Sequence, residues 1–311
     1  MPTPFAVATW NVENFFPAGT ASGPTAKAVY RRKVAYLAKT INGIAPDVVA
    51  LQEVGDPSTL GDLQRAVGGA YRYTAISTFP DERGIRVAFL ARRNLTGVRQ
   101  MHAFPPGSLF EVPDPNGHVL TTMGRGMLQA TVSVAGIPIR LATAHLKSKL
   151  LTFPGGRRYP RNEDERARGA GYALLRRAAE ATAVRVHLNS VMTNDQTPTI
   201  LCGDMNDEPI AVTTELLQGP PDADPDRPDK GDDVRMTNLA DFLPVKHHYS
   251  RIFRRQPELI DHIFISQDLV PRVRQVDSLV SDISSITQAL KPRRDATVPD
   301  HAPVFARFEL E

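Results

Sequence analysis

Short apolar runs recur along the whole chain, and they constrain the fold more than any other feature of the sequence. Runs of this length, rich in β-branched residues and bounded by turn residues, predict strands. The predicted strands are residues 5–12, 48–51, 71–76, 87–90, 128–134, 137–144, 199–202, 259–265 and 304–308. Helical segments separate only some of these runs. Because strict strand–helix–strand alternation is missing, the pattern favours α+β layers over a doubly wound parallel sheet.

Two segments have the periodicity of helices. The first has apolar residues at spacings of four, three, four and three, which places on one face Tyr30, Val34, Leu37, Ile41 and Ile44. The second begins where Asn162 is followed three residues later by Glu165, and it is expected to run to about residue 191. Its inner side is predicted to carry Leu174, Ala178, Ala181 and Leu188.

Turn residues predict a hairpin and several loops in the rest of the chain. Ala135-Gly136 predicts a tight hairpin between two strands. Proline, glycine, asparagine or aspartate mark residues 105–125, 149–161 and 220–233 as loops. The chain has 311 residues, no fixed repeat and no Gly/Ser-rich linker. We therefore expect residues 1–311 to form a single domain.

The single cysteine, Cys202, excludes a disulfide framework and a cysteine zinc site, and its apolar neighbours predict a buried side chain. The first residues lack the basic and apolar regions of a signal peptide, and no apolar run approaches the roughly 18 residues of a membrane span. These features predict a cytoplasmic protein without a membrane partner, although a signal that had been removed would leave the same sequence. The net charge of +3 suits an anionic substrate without proving one.

Polar side chains interrupt the apolar runs in six places, each at the end of a predicted strand. Strand ends that meet at one edge of a sheet would bring these side chains together. The candidates are Asn11, Glu13, Glu53, His145, Lys147, Asp204, Asn206, Asp261, Asp300 and His301. Hard oxygen ligands, two histidines and amide side chains are what metal-assisted hydrolysis of a phosphate ester needs.

Each of these positions also has a structural explanation. Glu53 closes an apolar strand, which is costly for a carboxylate unless it is paired, bound to metal or facing solvent. A lone histidine such as His145 is more often structural than catalytic. Gly203 permits a turn after which Asp204 and Asn206 project the same way, but the same residues suit an Asx turn that caps the next helix.

The ordered motifs Trp10-Asn11, Leu51-Gln52-Glu53, His145-Leu146-Lys147-Ser148, Gly203-Asp204-Met205-Asn206, Asp261-His262 and Asp300-His301 resemble those of the endonuclease/exonuclease/phosphatase superfamily. The resemblance spans nearly the whole chain. It implies a DNase I-like α+β fold, namely a four-layer α/β/β/α sandwich of two mixed β-sheets flanked by helices, as one catalytic domain. It also implies a phosphoric ester hydrolase that depends on Mg²⁺ or Mn²⁺, with its active site at one rim of the sheets.

The resemblance assigns metal binding to four residues. Glu53 would be the principal ligand, Asn11 would organise the metal and phosphate side, and Asp300 would lie at or near the metal. Relatives often carry aspartate two residues after the first asparagine, where this chain has Glu13, so Glu13 is a secondary ligand candidate.

The resemblance also implies roles for the remaining motif residues. Asp204 would orient or activate the attacking water, and Asn206 would hold a phosphate oxygen. His301 would act as a base or an electrostatic stabiliser, with Asp261 fixing its tautomer, and His145 would act on the leaving-group side. Either Asp204 or His301 is the base on this interpretation.

Basic clusters close to these motifs suggest a polyanionic substrate, although a solubilising surface would look the same. They comprise Arg157, Arg158, Arg161, Arg166 and Arg168, then Arg251, Arg254 and Arg255, and finally Lys291, Arg293 and Arg294. Lys147 and Arg166 join Asn11 and Asn206 as candidates for phosphate contacts.

The leading hypothesis is therefore a monomeric nuclease that acts on DNA or RNA with little base preference. The alternative is a phosphatase or phosphodiesterase that acts on a small-molecule or lipid-headgroup phosphate ester. A non-catalytic scaffold is disfavoured because no predicted site residue is missing. A zinc site at His247 and His248 is disfavoured because adjacent strand residues point apart.

Overall fold

The structure of the protein is a computed structural model, which describes residues 2–107, 111–114, 116–154, 157, 159–219, 234–287 and 293–310. The strands of the described part are β1 (Thr3–Phe15), β2 (Val48–Val54), β3 (Tyr73–Ile76), β4 (Arg86–Ala91), β5 (Thr96–Ala103), β6 (Val112–Pro113), β7 (Val119–Leu120), β8 (Thr122–Val134), β9 (Ile137–His145), β10 (Thr199–Asp204), β11 (Met236–Asn238), β12 (Arg251–Phe253), β13 (Gln256–Glu258), β14 (Asp261–Ser266), β15 (Val273–Ser278) and β16 (Val304–Leu310).

The α-helices are α1 (Lys27–Ile44), α2 (Pro57–Val67), α3 (Glu163–Asp195) and α4 (Val212–Gln218) in the same described part. Local sequence explains two of the starts. Asp56 and Asn162 each accept a hydrogen bond from a backbone N–H of the first turn, which caps α2 and α3. Short 3-10 helices lie at Leu239–Phe242, Val245–His247, Gln267–Arg272 and Val280–Asp282. No helix of the described residues combines the length and apolar character that a membrane span requires.

Two six-stranded sheets form the framework. The first has the order β15-β16-β1-β2-β4-β3, and the second has the order β11-β14-β10-β9-β8-β5. Each sheet is mixed, because β1–β2 and β9–β10 pair in parallel while the other pairs are antiparallel. The two parallel pairs occupy equivalent central places in their sheets.

Three apolar clusters define four layers. The largest joins the inner faces of both sheets and includes Phe5, Phe89, Leu141 and Ile263. A second cluster packs α1 and α2 on the outer face of the first sheet, and a third packs α3 and α4 on the outer face of the second sheet. The predicted α/β/β/α sandwich is thus confirmed.

Most predicted elements are present, with shifts at their ends. The apolar positions predicted on the first helical face are buried or half-buried in α1, and Cys202 lies buried in β10. Apolar periodicity missed α2, β5 and β15. The loop expected at 105–125 contains β6, β7 and the start of β8, and the predicted loop 220–233 lies outside the described residues.

Two expectations about individual residues are wrong. Leu174 is 52% exposed rather than on the inner side of α3. Gly203 does not form a turn but lies within β10, where an added Cβ would come within 2.0 Å of the Ala144 carbonyl oxygen. Its φ of +155° and this close approach to β9 are the reasons for glycine at the position.

Candidate active site

Strand register aligns predicted site residues at the rim of the second sheet. Asp204 at the end of β10 pairs with His145 on one side and with Asp261 on the other. In the first sheet, Asn11 pairs with Gln52, and the register then shifts before Phe15 meets Val54. Such bulges redirect side chains at sheet rims. The two sheets therefore present their polar residues at the same end of the sandwich.

Left-handed backbone conformations are concentrated at this rim. Glu13, Asn14, Glu53 and Asn206 all have positive φ values, between 47° and 63°. Residues other than glycine rarely adopt this conformation, and it is often found at functional sites because surrounding contacts hold it there. Its occurrence at four rim residues supports a functional site at the bulges.

A cavity of about 270 Å³ opens between the two rims. Predicted site residues that line it are Asn11, Glu13, Glu53, His145, Asp204, Asn206, Asp300 and His301. Asp261 lies behind His301, fully buried. Residues far apart along the chain thus converge on one pocket.

Asn11 positions two carboxylates. Its Nδ2 donates to Asp204 Oδ2 at 2.9 Å and to Glu53 Oε1 at 3.4 Å, while its Oδ1 accepts from the Glu13 backbone N–H. These bonds orient Glu53 and Asp204, and the amide oxygen keeps a second lone pair. The metal and phosphate contacts expected of Asn11 stay a prediction.

Asp204 is a buried carboxylate without a guanidinium or ammonium partner among the described residues. Besides Asn11, it accepts a hydrogen bond from the Asn206 backbone N–H at 3.0 Å and lies 3.3 Å from His145 Nε2. Burial, and then the nearby Asp261 carboxylate, raise the pKa of Asp204 to about 7. The bond to the Asn206 N–H forms an Asx-type turn, but α4 has no side-chain cap, so the capping alternative is excluded.

His301 and Asp261 form a hydrogen-bonded dyad. His301 Nδ1 lies 2.6 Å from Asp261 Oδ2, which also accepts from Ser250 Oγ at 2.7 Å. Burial alone would lower the pKa of His301, but the Asp261 carboxylate outweighs it and raises this pKa to about 10. The bond at Nδ1 leaves Nε2 as the ring nitrogen available to the cavity.

His145 has the opposite electrostatic environment. It is buried, and this burial, reinforced by Arg125 and His301, lowers its pKa well below the ordinary value. Its Nδ1 has no hydrogen-bond partner in the described structure. A neutral His145 ring, with Nε2 3.3 Å from Asp204, accounts for both observations.

Glu13 has a cationic partner in this arrangement. Arg293 binds its carboxylate through Nε at 2.7 Å and through a second guanidinium nitrogen at 3.1 Å, and the Asp300 backbone N–H donates to it at 3.1 Å. The Lys33 ammonium donates to its carbonyl oxygen. Three donors hold the carboxylate, so Glu13 anchors the segment before His301, and its assignment as a secondary metal ligand stays a prediction.

Glu53 remains the carboxylate best placed for a divalent cation. Among the described residues it forms no ion pair, it lines the cavity, and the Asn14 N–H fixes its Oε2 at 2.7 Å. Asp300 also lines the cavity, 3.9 Å from Arg251 Nε. Magnesium sites commonly use one or two carboxylates together with water and substrate phosphate, so these residues fit such an ion.

Ligand-type atoms of Asp204, Asp261 and His301 lie within 4.8 Å of one another. The short His301–Asp261 bond already joins two of the three residues. No such cluster in the described residues includes His247 or His248.

Two predicted phosphate contacts lie elsewhere. Lys147 does not line the cavity, and its ammonium donates to the carbonyl oxygens of Ser148 and Leu150. Arg166 is exposed on α3, where it pairs with Glu163. Neither side chain contacts the cavity, and of the basic clusters, Arg158 and Lys291 lie outside the described residues.

Sequence reasoning missed several cavity residues. Arg83 and Arg125 line the pocket without belonging to any motif, and Asn14 and Lys149 also line it. Arg83 donates to Asn14, while Arg125 forms an ion pair of 2.9 Å with Asp81. No local signal marks these arginines, because only the tertiary fold brings the turn of Arg83 and the strand β8 of Arg125 to the rim.

Carboxylates suited to a hard cation stand beside cations suited to an anion, which is the combination that phosphate-ester hydrolysis requires. The fold and the site thus define a metal-dependent phosphoester hydrolase. The sequence matches the model of the "Endonuclease/Exonuclease/phosphatase family" over residues 8–284, and the chain belongs to this family.

Solved structures share the fold across nearly the whole chain. The human Nocturnin catalytic domain with bound sulfate is 17% identical with a TM-score of 0.59, covering 98% of this chain and 94% of that chain. A mannosyl-6-phosphatase from Bacteroides thetaiotaomicron is 15% identical, with a TM-score of 0.61 and coverage of 97% and 98%. Truncated Caenorhabditis elegans TDP2 is 14% identical, with a TM-score of 0.60 and coverage of 98% of each chain. A search of curated proteins gave no significant sequence match.

Proposed function

We propose that this protein is a Mg²⁺- or Mn²⁺-dependent phosphodiesterase that cleaves the backbone of DNA or RNA as a monomer. The supporting observation is the set of four basic side chains that stand beside the carboxylates of the cavity wall. Arg83, Arg125, Lys149 and Arg251 line the pocket together with Glu53 and His301. Four basic side chains around one scissile position suit a substrate with several phosphates, and they contact phosphates without reading bases.

In the proposed chemistry, Asp204 takes the proton of the attacking water. Its pKa, raised to about 7, matches proton transfer near neutral pH. His301, whose pKa is raised to about 10, stays cationic and stabilises the phosphoryl oxygens. Asn206 donates one amide hydrogen to the Leu146 carbonyl oxygen and retains another for a phosphate oxygen. A divalent cation at Glu53 supplies further charge neutralisation when bound.

A phosphatase acting on a small phosphate ester is the second candidate. The cavity of about 270 Å³ would enclose a sugar phosphate, and one protein with the same fold is described as a mannosyl-6-phosphatase. The basic side chains favour the first candidate, since one phosphate needs fewer cations.

A substrate panel separates the two candidates. Plasmid DNA, single-stranded DNA, RNA, an abasic duplex, a sugar phosphate and sphingomyelin would each be tested with Mg²⁺, with Mn²⁺ and with chelator. A nuclease should cleave the nucleic acids, with KM rising steeply as salt increases. Turnover of the sugar phosphate or sphingomyelin alone would favour the second candidate.

The metal assignment is tested by replacing one carboxylate at a time. We expect Glu53→Gln to weaken Mn²⁺ binding about 10-fold or more in calorimetric titrations, because it removes the charged ligand. Glu13→Gln, the matched control, should leave the binding constant close to that of the wild type, since Arg293 already holds that side chain. An equal loss in both variants would contradict the assignment.

A further inference from the structure

The β12–β13 hairpin has an unusual turn. The strands pair Arg251 with Glu258 and Phe253 with Gln256, so Arg254 and Arg255 alone form the loop. Their φ values are +50° and +68°. Two-residue turns with both φ values positive favour Asn-Gly, and arginine in this conformation costs stability. A second two-residue hairpin turn, between β8 and β9, does place glycine at its second position, Gly136.

The base of this hairpin is attached to the catalytic dyad. Arg251 forms a β-bridge with His301, and the Ala302 N–H donates to the Ser250 carbonyl oxygen at 2.7 Å. Ser250 Oγ binds Asp261. Arg251 and Phe253 both line the cavity. The hairpin therefore has a fixed position relative to the site of phosphate-ester cleavage.

The tip of the hairpin is also held in place. The Arg254 N–H donates to the Ile286 carbonyl oxygen at 2.8 Å, and the Arg255 N–H donates to Ser285 Oγ at 2.8 Å. The guanidinium carbons of Arg251 and Arg254 lie 5.1 and 5.3 Å from the centre of the Phe253 ring. These contacts preorganise a row of positive charge that runs from the cavity to an exposed tip.

We propose that the β12–β13 hairpin binds the sugar–phosphate backbone of a nucleic-acid substrate next to the scissile phosphate. This inference rests on the proposed nuclease function and names the surface that such a substrate would contact. At about 3.3 Å per strand residue, Arg254 lies on the order of 10 Å from Arg251. That length corresponds to about three nucleotides of a stacked strand, so Arg254 and Arg255 would contact phosphates outside the cavity.

The turn conformation argues against a merely solubilising role for these arginines. A solubilising charge can be placed on any exposed helix or strand at no conformational cost. Here two adjacent arginines occupy strained positions at the exposed end of an element that is anchored to the dyad. Strain that persists beside a catalytic site is associated with function.

The test replaces the strained turn residues, so that turn stability and charge change in opposite directions. In the double variant Arg254→Asn/Arg255→Gly, the turn receives its preferred residues and loses both charges. We expect a higher melting temperature than that of the wild type, together with an approximately tenfold higher KM for a 12-nucleotide substrate. The slope of log KM against log salt should fall by about 1.4 to 1.8, which corresponds to two lost phosphate contacts. KM for bis(p-nitrophenyl) phosphate and for a dinucleotide should not change.

A matched pair of variants separates local from general charge effects. Arg254→Gln/Arg255→Gln should reproduce the loss, whereas Arg31→Gln/Arg32→Gln removes two exposed adjacent charges on α1 and should not. Unchanged KM and salt slope in both hairpin variants, or equal losses in the α1 variant, would overturn the inference while leaving nuclease activity intact. A wild-type enzyme that hydrolyses the small diester but no nucleic acid would instead overturn the proposed function, and this inference with it.

Discussion

At the scale of one residue, burial of the Asp204 carboxylate raises its pKa and also lowers the stability of the folded state. Its carboxylate is 1% exposed and accepts hydrogen bonds from Asn11 and the Asn206 N–H, with neutral His145 nearby and no cationic partner among the described residues. Burial penalises the charged form, which is why its pKa rises from 3.8 to about 7. A group that is poised to accept a proton near neutral pH is thereby also a source of instability.

The Asp204→Asn variant tests both consequences. A carboxyl whose pKa is higher in the folded state binds its proton more tightly there, so its contribution to the free energy of unfolding falls as pH rises from about 4 to about 7. Without metal at pH 8, we expect the variant to be more stable than the wild type by on the order of 1–2 kcal/mol, with no gain at pH 4. Turnover should fall by about 10² to 10⁴.

Urea unfolding in chelator at the two pH values would measure the difference. Glu13, whose pKa burial also raises to about 7, is present in both proteins, so the comparison isolates Asp204. Normal turnover in the variant would exclude Asp204 as the base.

At the scale of one element, apolar residues alone do not identify the buried face of helix α3. Its buried positions include Ala173, Arg177, Glu180 and Leu188, whereas Leu174 faces solvent. The N-terminal half of α3 covers the loops of the active site, where backbone groups need polar partners. Glu180 accepts from the N–H groups of Lys147 at 2.6 Å and Gly124 at 2.8 Å. Polar residues therefore occupy the inner face there.

Replacing Glu180 should affect stability and catalysis together. Glu180→Ala leaves two part-buried N–H groups and Arg176 without their acceptor, so we expect a loss of about 2–4 kcal/mol in the free energy of unfolding. Turnover should also fall, because Lys147 lies only two residues after His145. Urea unfolding and steady-state kinetics would measure both effects.

The control for this variant lies on the same helix. Glu163→Ala removes an exposed carboxylate paired with Arg166 and should leave stability and turnover essentially unchanged. If the two variants behaved alike, the role given to Glu180 would be wrong.

At the scale of the whole molecule, the relative position of the two sheets sets the geometry of the cavity residues. Gln52 Nε2 donates to Thr9 Oγ1 in its own sheet and to Thr143 Oγ1 in the other sheet, each at 3.1 Å. These residues are fully buried, and Gln52 immediately precedes Glu53. This polar link therefore fixes the sheets to each other directly beneath the cavity.

Breaking the link on one side should separate its structural cost from its positioning role. We expect Gln52→Leu to lower the free energy of unfolding by about 1–3 kcal/mol, because two buried hydroxyl groups lose their partner. The triple variant Thr9→Val/Gln52→Leu/Thr143→Val should recover most of this stability, since no unpaired polar group remains. Mn²⁺ affinity should stay reduced in both, as measured by calorimetry. Full recovery of affinity in the triple variant would show that the link does not position Glu53.

The sequence by itself determined the central strands, the inner face of α1 and the family. Apolar periodicity is a local property, so it located the central strands and the inner face of α1, and the order of short motifs indicated the sandwich. The same motifs named Glu53, Asp204, Asp261 and His301, because strand ends deliver side chains to a shared rim.

Only the tertiary structure decided the partners of these residues. Arg293 neutralises Glu13 from 280 positions away along the chain, and Arg83 and Arg125 line the cavity although neither belongs to a motif. Arg166, close to a motif in sequence, lies away from the cavity. Whether a charge faces a site or solvent depends on long-range packing, because electrostatic and hydrogen-bond energies follow distance in space and not separation along the chain.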